Sequence, residues 1–254
     1  MRVFMSFILA VTFCASAFAE EMTGEQVISK CYDLYRQAEY ETEQMSVTIS
    51  HEDGQTDEKA FARYLQFSAD GEDKVRIRFS EPKLDDGLGL LIFRHRGRKD
   101  EQWVRFAREK SIRKTTVRDN GKDFSGMDIT YEDARQLVGE RTTDFIYSFL
   151  PNNEEDWIVE AVPKPETKTS YTRRVFQIAP SFACTRIEYY GKRGLIKTQD
   201  NSKISVRENG RWRTSQIIIK NEVLKRTTNL VVTERNFNAL GPEIFTRSSL
   251  TKGR

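Results

Sequence analysis

The stretch from Phe79 to Asp133 decides how this chain is read. It opens on Phe79-Ser80-Glu81-Pro82 and continues through Gly87-Leu88-Gly89-Leu90-Leu91-Ile92-Phe93 and Trp103-Val104-Arg105-Phe106. It closes on Asp123-Phe124-Ser125-Gly126-Met127-Asp128-Ile129-Thr130-Tyr131-Glu132-Asp133. Gly87 to Phe93 is apolar at nearly every position, which predicts a strand covered on both faces. Arg94 to Asp100 is a charged hairpin loop. In the next strand Val104 and Phe106 share one face, and Trp103 and Arg105 the other. The last segment is a compact turn feeding a helix over Tyr131–Gly139. Glu132 and Asp133 lie in its first turn, where the helix dipole favours negative charge, and Gly139 is a natural stop.

Working outward, the same grammar recurs. Val75, Ile77 and Phe79 alternate with Arg76 and Arg78, the clearest half-buried strand in the chain. Thr42–Ser50 and Glu58–Ser68 precede it, separated by the turn His51-Glu52-Asp53-Gly54-Gln55; an imperfect phase near Arg63 suggests a bulge. Before these, Thr23 is an N-cap candidate, and Val27, Ile28, Cys31, Leu34 and Tyr35 fall at helical spacing. After the turn, Phe145, Ile146, Phe149 and Leu150 form a second short apolar patch, read here as helical. Strands then follow over 157–162, 173–179, 184–190, 195–199, 202–208, 212–221 and 227–235, with Asn209-Gly210 the strongest hairpin signal. About ten strands and few helices predict one antiparallel sheet, strongly curled.

Composition fits that picture. The 254-residue chain is 38% hydrophobic and 31% charged, as a sheet with one wet face requires. The formal net charge is only +3, without the concentrated basic surplus of a nucleic-acid binder. Arg2, the apolar run Val3–Phe13 and Ala17-Phe18-Ala19 read as a secretory signal cleaved after Ala19. That leaves a single domain over 20–254, exported to the periplasm. Cys31 and Cys184 then remain, either as a disulfide or as two buried thiols.

Little in the chain speaks for catalysis. His51 and His95 sit in a turn and a charged loop, without an adjacent nucleophile and orienting carboxylate. Asp128, Glu132 and Asp133 offer either an acid/base pair or Ca2+ ligands, or a turn cap in which Asp128 accepts backbone N–H bonds and the other two start the helix. The turn cap is the reading taken. No metal-ligand spacing or phosphate-cradling loop occurs, so no metal and no cofactor is expected. The basic runs Arg94–Lys99 and Arg108–Arg118 suit lipid headgroups, or a solvated hairpin that blunts a sheet edge.

The sequence over Phe79–Asp133, together with the closing Phe237-Asn238-Ala239-Leu240-Gly241-Pro242-Glu243-Ile244-Phe245-Thr246 and Leu250, resembles the outer-membrane lipoprotein-sorting proteins, the LolA-like family. In that family a Pro-ended strand, a Gly-rich apolar strand, a Trp strand, a basic segment and a Gly-Ser-Asp-Phe-x-Tyr-Glu-Asp-like turn follow one another. Here Gly126-Met127-Asp128 stands for Gly-Ser-Asp, Ile129 for the second aromatic, and Phe106-Ala107-Arg108 for the family's Leu-Pro-Ala.

The resemblance implies an open half-barrel with an N-terminal helix and short lid helices. It also implies a periplasmic carrier, not an enzyme, that takes a lipid or a lipidated protein between membranes. Its partners would be that cargo, a transiently touched membrane surface and an inner-membrane lipid exporter. An RseB-like adaptor that binds a membrane protein is the alternative. The expected cavity wall is Val75, Ile77, Phe79, Leu90, Ile92, Val104, Phe106, Ile217, Ile219, Leu230 and Val232. The expected lid is Leu137, Val138, Phe145 and Phe149, and the structural turn is Gly126, Asp128, Tyr131, Glu132 and Asp133.

Overall fold

The structure, a computed structural model, describes residues 22–107, 109, 111–152 and 155–251. The proposed signal segment lies outside the described residues. The chain opens with helix α1 (Gly24–Tyr35). Thr23 and Gln26 close a reciprocal capping box, with each side chain bonding the other's backbone N–H. Val27, Ile28, Cys31 and Tyr35 form its buried stripe.

Six strands follow as a meander: β1 (Tyr40–Ser50), β2 (Thr56–Gln66), β3 (Lys74–Glu81), β4 (Gly89–Phe93), β5 (Glu101–Arg105) and β6 (Ile112–Lys114). After a crossing segment that holds helix α2 (Tyr131–Ala134) come β7 (Phe145–Phe149), β8 (Trp157–Pro163), β9 (Arg173–Ile178), β10 (Cys184–Gly191) and β11 (Gly194–Ser202). The hairpin β12 (Ser205–Val206) and β13 (Trp212–Arg213) forms a small sheet of its own. The chain then adds β14 (Gln216–Asn221) and β15 (Arg226–Asn236).

Among the described residues, thirteen strands make one antiparallel sheet in the order β6-β5-β4-β3-β2-β1-β15-β14-β11-β10-β9-β8-β7. The first and last long strands pair at its centre, Val47 opposite Leu230. The edges β6 and β7 do not pair, so the sheet stays open. Since β6 precedes β7 in sequence, residues 115–144 must cross from one edge to the other. That topology alone carries a covering segment over the concave face.

The two faces are buried by different parts of the chain. Leu90, Ile92, Val104, Phe79, Ile77 and Val75 belong to the main core beneath α1 and the crossing segment. Leu91 lies on the opposite face in a second cluster with Phe245 and Leu250. The C-terminal residues 240–250 thus strap the convex side, which explains why β4 is apolar throughout. At Gly89 a Cβ would come within 2.9 Å of Leu250 Cδ2, so any larger residue there would push the Leu250 side chain aside. The strap also buries Arg76, expected on a wet face; its Nη2 donates to the Ser249 carbonyl at 2.8 Å.

Two expectations are corrected. The patch at Phe145–Phe149 is not helical but the edge strand β7, because each of its residues pairs with β8, Ile146 opposite Val162 and Phe149 opposite Val159. The irregularity of β2 lies at Ala60/Phe61 rather than at Arg63. Cys31 and Cys184 are both buried free thiols; burial pushes Cys184 up to about 12.

Candidate functional site

The concave face, α1 and the crossing segment enclose a cavity of about 100 Å³. Met45 of β1, Phe61 of β2, Ile77 of β3, Ile217 and Ile219 of β14 and Leu230 of β15 supply its sheet side. Tyr32 and Tyr35 come from α1, Trp212 from the β13 hairpin, and Phe124, Met127, Ile129 and Leu137 from the cover. The period of two in each strand puts these residues on one face.

Of the residues expected to form the cavity wall, Ile77, Ile217, Ile219 and Leu230 line this space. Val75, Phe79, Leu90, Ile92 and Val104 are buried in the surrounding core, and Phe106 and Val232 are half-buried against it. Leu137 lines the cavity from the cover. Phe145 is buried in β7, whereas Phe149, in the same edge strand, is 44% exposed. Both therefore stand in the sheet itself and not in the crossing segment that covers the cavity. The side chain of Val138 lies outside the described residues.

A row of rings fastens the cover to the sheet. Phe61 and Phe79 lie 5.1 Å apart, Phe79 and Phe124 5.5 Å, and Phe124 and Tyr131 5.5 Å. Edge and tilted contacts of this kind add about 0.5–1.5 kcal/mol beyond their buried area.

The turn that holds this row is locked by charge. Gly126 takes φ +72°, a left-handed conformation open to glycine at no cost. It delivers Asp128 into a buried position. There the carboxylate accepts from Asn221 Nδ2 at 2.8 Å, Arg226 Nε at 2.9 Å and Thr228 Oγ1 at 2.6 Å. The expectation that Asp128 accepts backbone N–H bonds is therefore corrected: its partners are side chains of β14 and β15, distant in sequence.

Asp133 does start α2. Its Oδ2 accepts from the Thr130 backbone N at 2.7 Å, while Thr130 Oγ1 caps the Asp133 N–H. The same Oδ2 meets Lys197 Nζ of β11 at 2.5 Å, and Tyr171 donates to Oδ1 at 2.8 Å. Burial alone would raise the Asp133 carboxyl, but Lys197 and the Thr130 bonds hold it below the usual carboxylate range. Glu132 reaches the other way, accepting from Thr169 Oγ1 and, at 2.9 Å, from the Ser170 N–H. All three carboxylates are thus saturated as structural anchors. Among the described residues no group of three or more His, Cys, Asp or Glu could hold a metal ion.

The end of the cavity near the β13 hairpin is charged, which sequence reasoning missed. Arg63 lines it, with its Nε donating to Glu43 Oε2 at 2.6 Å. Arg235 Nε donates to Glu43 Oε1 at 2.7 Å, and Arg213 Nη2 donates to Glu41. The only signals in sequence were inward parity on β1 and β2 and an imperfect phase at Arg63. Several described residues of the basic runs pair with nearby carboxylates: Arg94 with Asp100, Arg113 with Asp119 and Lys114 with Glu101. Arg113 and Lys114 lie on the edge strand β6, where charge discourages pairing with another sheet.

Among solved structures, a candidate outer membrane lipoprotein-sorting protein domain from Vibrio parahaemolyticus superposes with a TM-score of 0.80. It is 18% identical, over 90% of this chain and 98% of that one. A DUF1329 family protein from Desulfovibrio piger gives 0.76 at 21% identity, over 88% and 98%. A LolA superfamily protein from Nitrosomonas europaea gives 0.68 at 16% identity, over 90% and 100%. A search of curated proteins finds no match. A family model described only as an uncharacterized protein matches residues 71–252. The chain belongs to that family, which is LolA-like in fold.

Proposed function

We propose that this protein is a periplasmic carrier for a lipid or for the acyl chains of a lipidated protein. The observation that carries the reading is the unclosed sheet whose apolar concave face is covered by a crossing segment with a cavity beneath it. Each methylene moved from water into such a face gains about 0.8 kcal/mol, so an apolar groove binds cargo without covalent chemistry.

The cover must move for this to happen. The closed cavity, at about 100 Å³, is smaller than an engineered protein cavity of roughly 150 Å³ that takes one benzene. A long acyl chain therefore enters only as the α2 segment swings away from β3 and β14. Among the described residues no helix is long and apolar enough to cross a membrane. On this reading the donor is a membrane surface, and an inner-membrane lipid exporter is the partner class.

Native mass spectrometry of freshly exported protein, followed by organic extraction, tests the proposal. Bound lipid of defined mass is expected. Ligand-free protein that also fails to take up acyl chains from micelles would overturn it.

A further inference from the structure

The charged end of the cavity carries an unbalanced positive charge. Arg63, Arg213 and Arg235 surround only two carboxylates, Glu41 and Glu43. Arg213 is 2% exposed, and its Nε and Nη1 have no hydrogen-bond partner. Arg63, Tyr35, Trp212 and Thr214 line this end of the cavity, and Arg213 lies behind that wall with its guanidinium carbon over the Tyr35 ring. Neighbouring Asp73 does not restore balance, because it is taken by Arg36 at 2.7 Å.

Arg213 is paired with Glu41, but Arg63 and Arg235 share the one carboxylate of Glu43, which leaves one positive charge in excess. A buried charge that is not fully compensated is costly, and buried N–H donors without acceptors add to that. Such an arrangement is stable when something else supplies the anion. The three guanidiniums already pull Glu43 down to about 2 against the opposing effect of its burial, so the excess is not relieved by proton loss nearby.

We propose that the cavity takes an amphiphile with an anionic head, its oxygens received at the Arg63–Arg213 end and its hydrocarbon laid along Ile77, Ile217, Ile219 and Leu230. This deepens the carrier reading and rests on it. The shared chemistry is an acyl chain ended by an anionic oxygen group, whether a fatty carboxylate or the phosphate of a single-chain phospholipid.

The test is displacement of a fluorescent fatty-acid probe from the intact mature protein at neutral pH. The competitors are palmitate, 1-palmitoyl lysophosphatidate and 1-hexadecanol, the neutral chain of matched length. Palmitate or lysophosphatidate is expected to compete about tenfold better than hexadecanol, as a hydrogen-bonded charge implies. Whichever of the two competes better identifies the head group. In Arg213→Met, checked for folding by circular dichroism, that preference is expected to fall to about twofold or less.

Equal competition by hexadecanol and both anions in the wild-type protein would overturn the anionic head while leaving the carrier reading standing. Failure of the probe and all three chains to bind would overturn both. If Arg213→Met does not fold, the wild-type comparison alone decides.

Discussion

Lys197 Nζ and Asp133 Oδ2 lie 2.5 Å apart, both nearly buried, and join β11 to the first turn of α2. The same ammonium group donates to the Asp128 carbonyl at 2.6 Å. One strand residue thus holds both ends of the turn that roofs the cavity. The cover is clamped as well as packed, so its opening must break a charged contact.

Replacing Lys197 by Met leaves Asp133 buried without its cation. Breaking one partner of a buried pair costs about 3–5 kcal/mol. Urea denaturation of Lys197→Met should show a loss of that order, with a smaller loss in Lys197→Met/Asp133→Asn. A double variant as damaged as the single would contradict the ion-pair account.

Acid should act through Glu43 and Asp133, whose carboxyls are held low in the fold. Unfolded, Glu43 takes up its proton near 4.5; folded, it does so only near 2. Between those values the unfolded chain binds more protons, so stability present above about pH 4.5 is lost as pH falls toward 2. Asp73, raised by burial, works in the opposite sense. Urea midpoints taken from pH 7 to pH 3 should stay flat and then drop below about pH 4.5. In Glu43→Gln the drop should be shallower.

Filling the cavity should separate folding from binding. Ile217→Phe adds volume beside Trp212 and Leu230 in a space of about 100 Å³. The change in stability should stay within about 1–2 kcal/mol. Uptake of a fluorescent acyl probe should fall at least several-fold. Unchanged uptake would place the ligand elsewhere.

The strap on the convex side is predicted to be structural. Leu250→Ala removes a buried side chain that packs on Leu91 and Phe245 and should cost about 2–4 kcal/mol in urea denaturation. Probe affinity measured under native conditions should not change.

Much of this architecture was readable where a local pattern sufficed. Thr23 and the helical spacing of Val27, Ile28, Cys31, Leu34 and Tyr35 announced α1, the alternation Val75-Ile77-Phe79 gave one face of β3, and Asn209-Gly210 marked the β12–β13 hairpin. The all-apolar run of β4 announced cover on both sides, though not that the C-terminal residues 240–250 supply half of it. Phe145–Phe149 misled because apolar residues at i, i+1 and i+4 over so short a run fit helix and strand alike, and pairing with β8 decides between them. The clamps were invisible because their partners are remote: Asp128 meets Arg226 across 98 residues, and Arg213 meets Glu41 across 172. Only the closure of β15 onto β1 brings such residues together.

The central claim is that the cover moves to admit cargo, and a covalent tether tests it most directly. Leu137→Cys and Ile77→Cys would place a disulfide across the cavity from cover to β3, in a background where Cys31 and Cys184 are replaced by Ala. Uptake of a fluorescent acyl probe should be lost when the pair is oxidised and return on reduction. Undiminished uptake by the fully oxidised form would contradict the account.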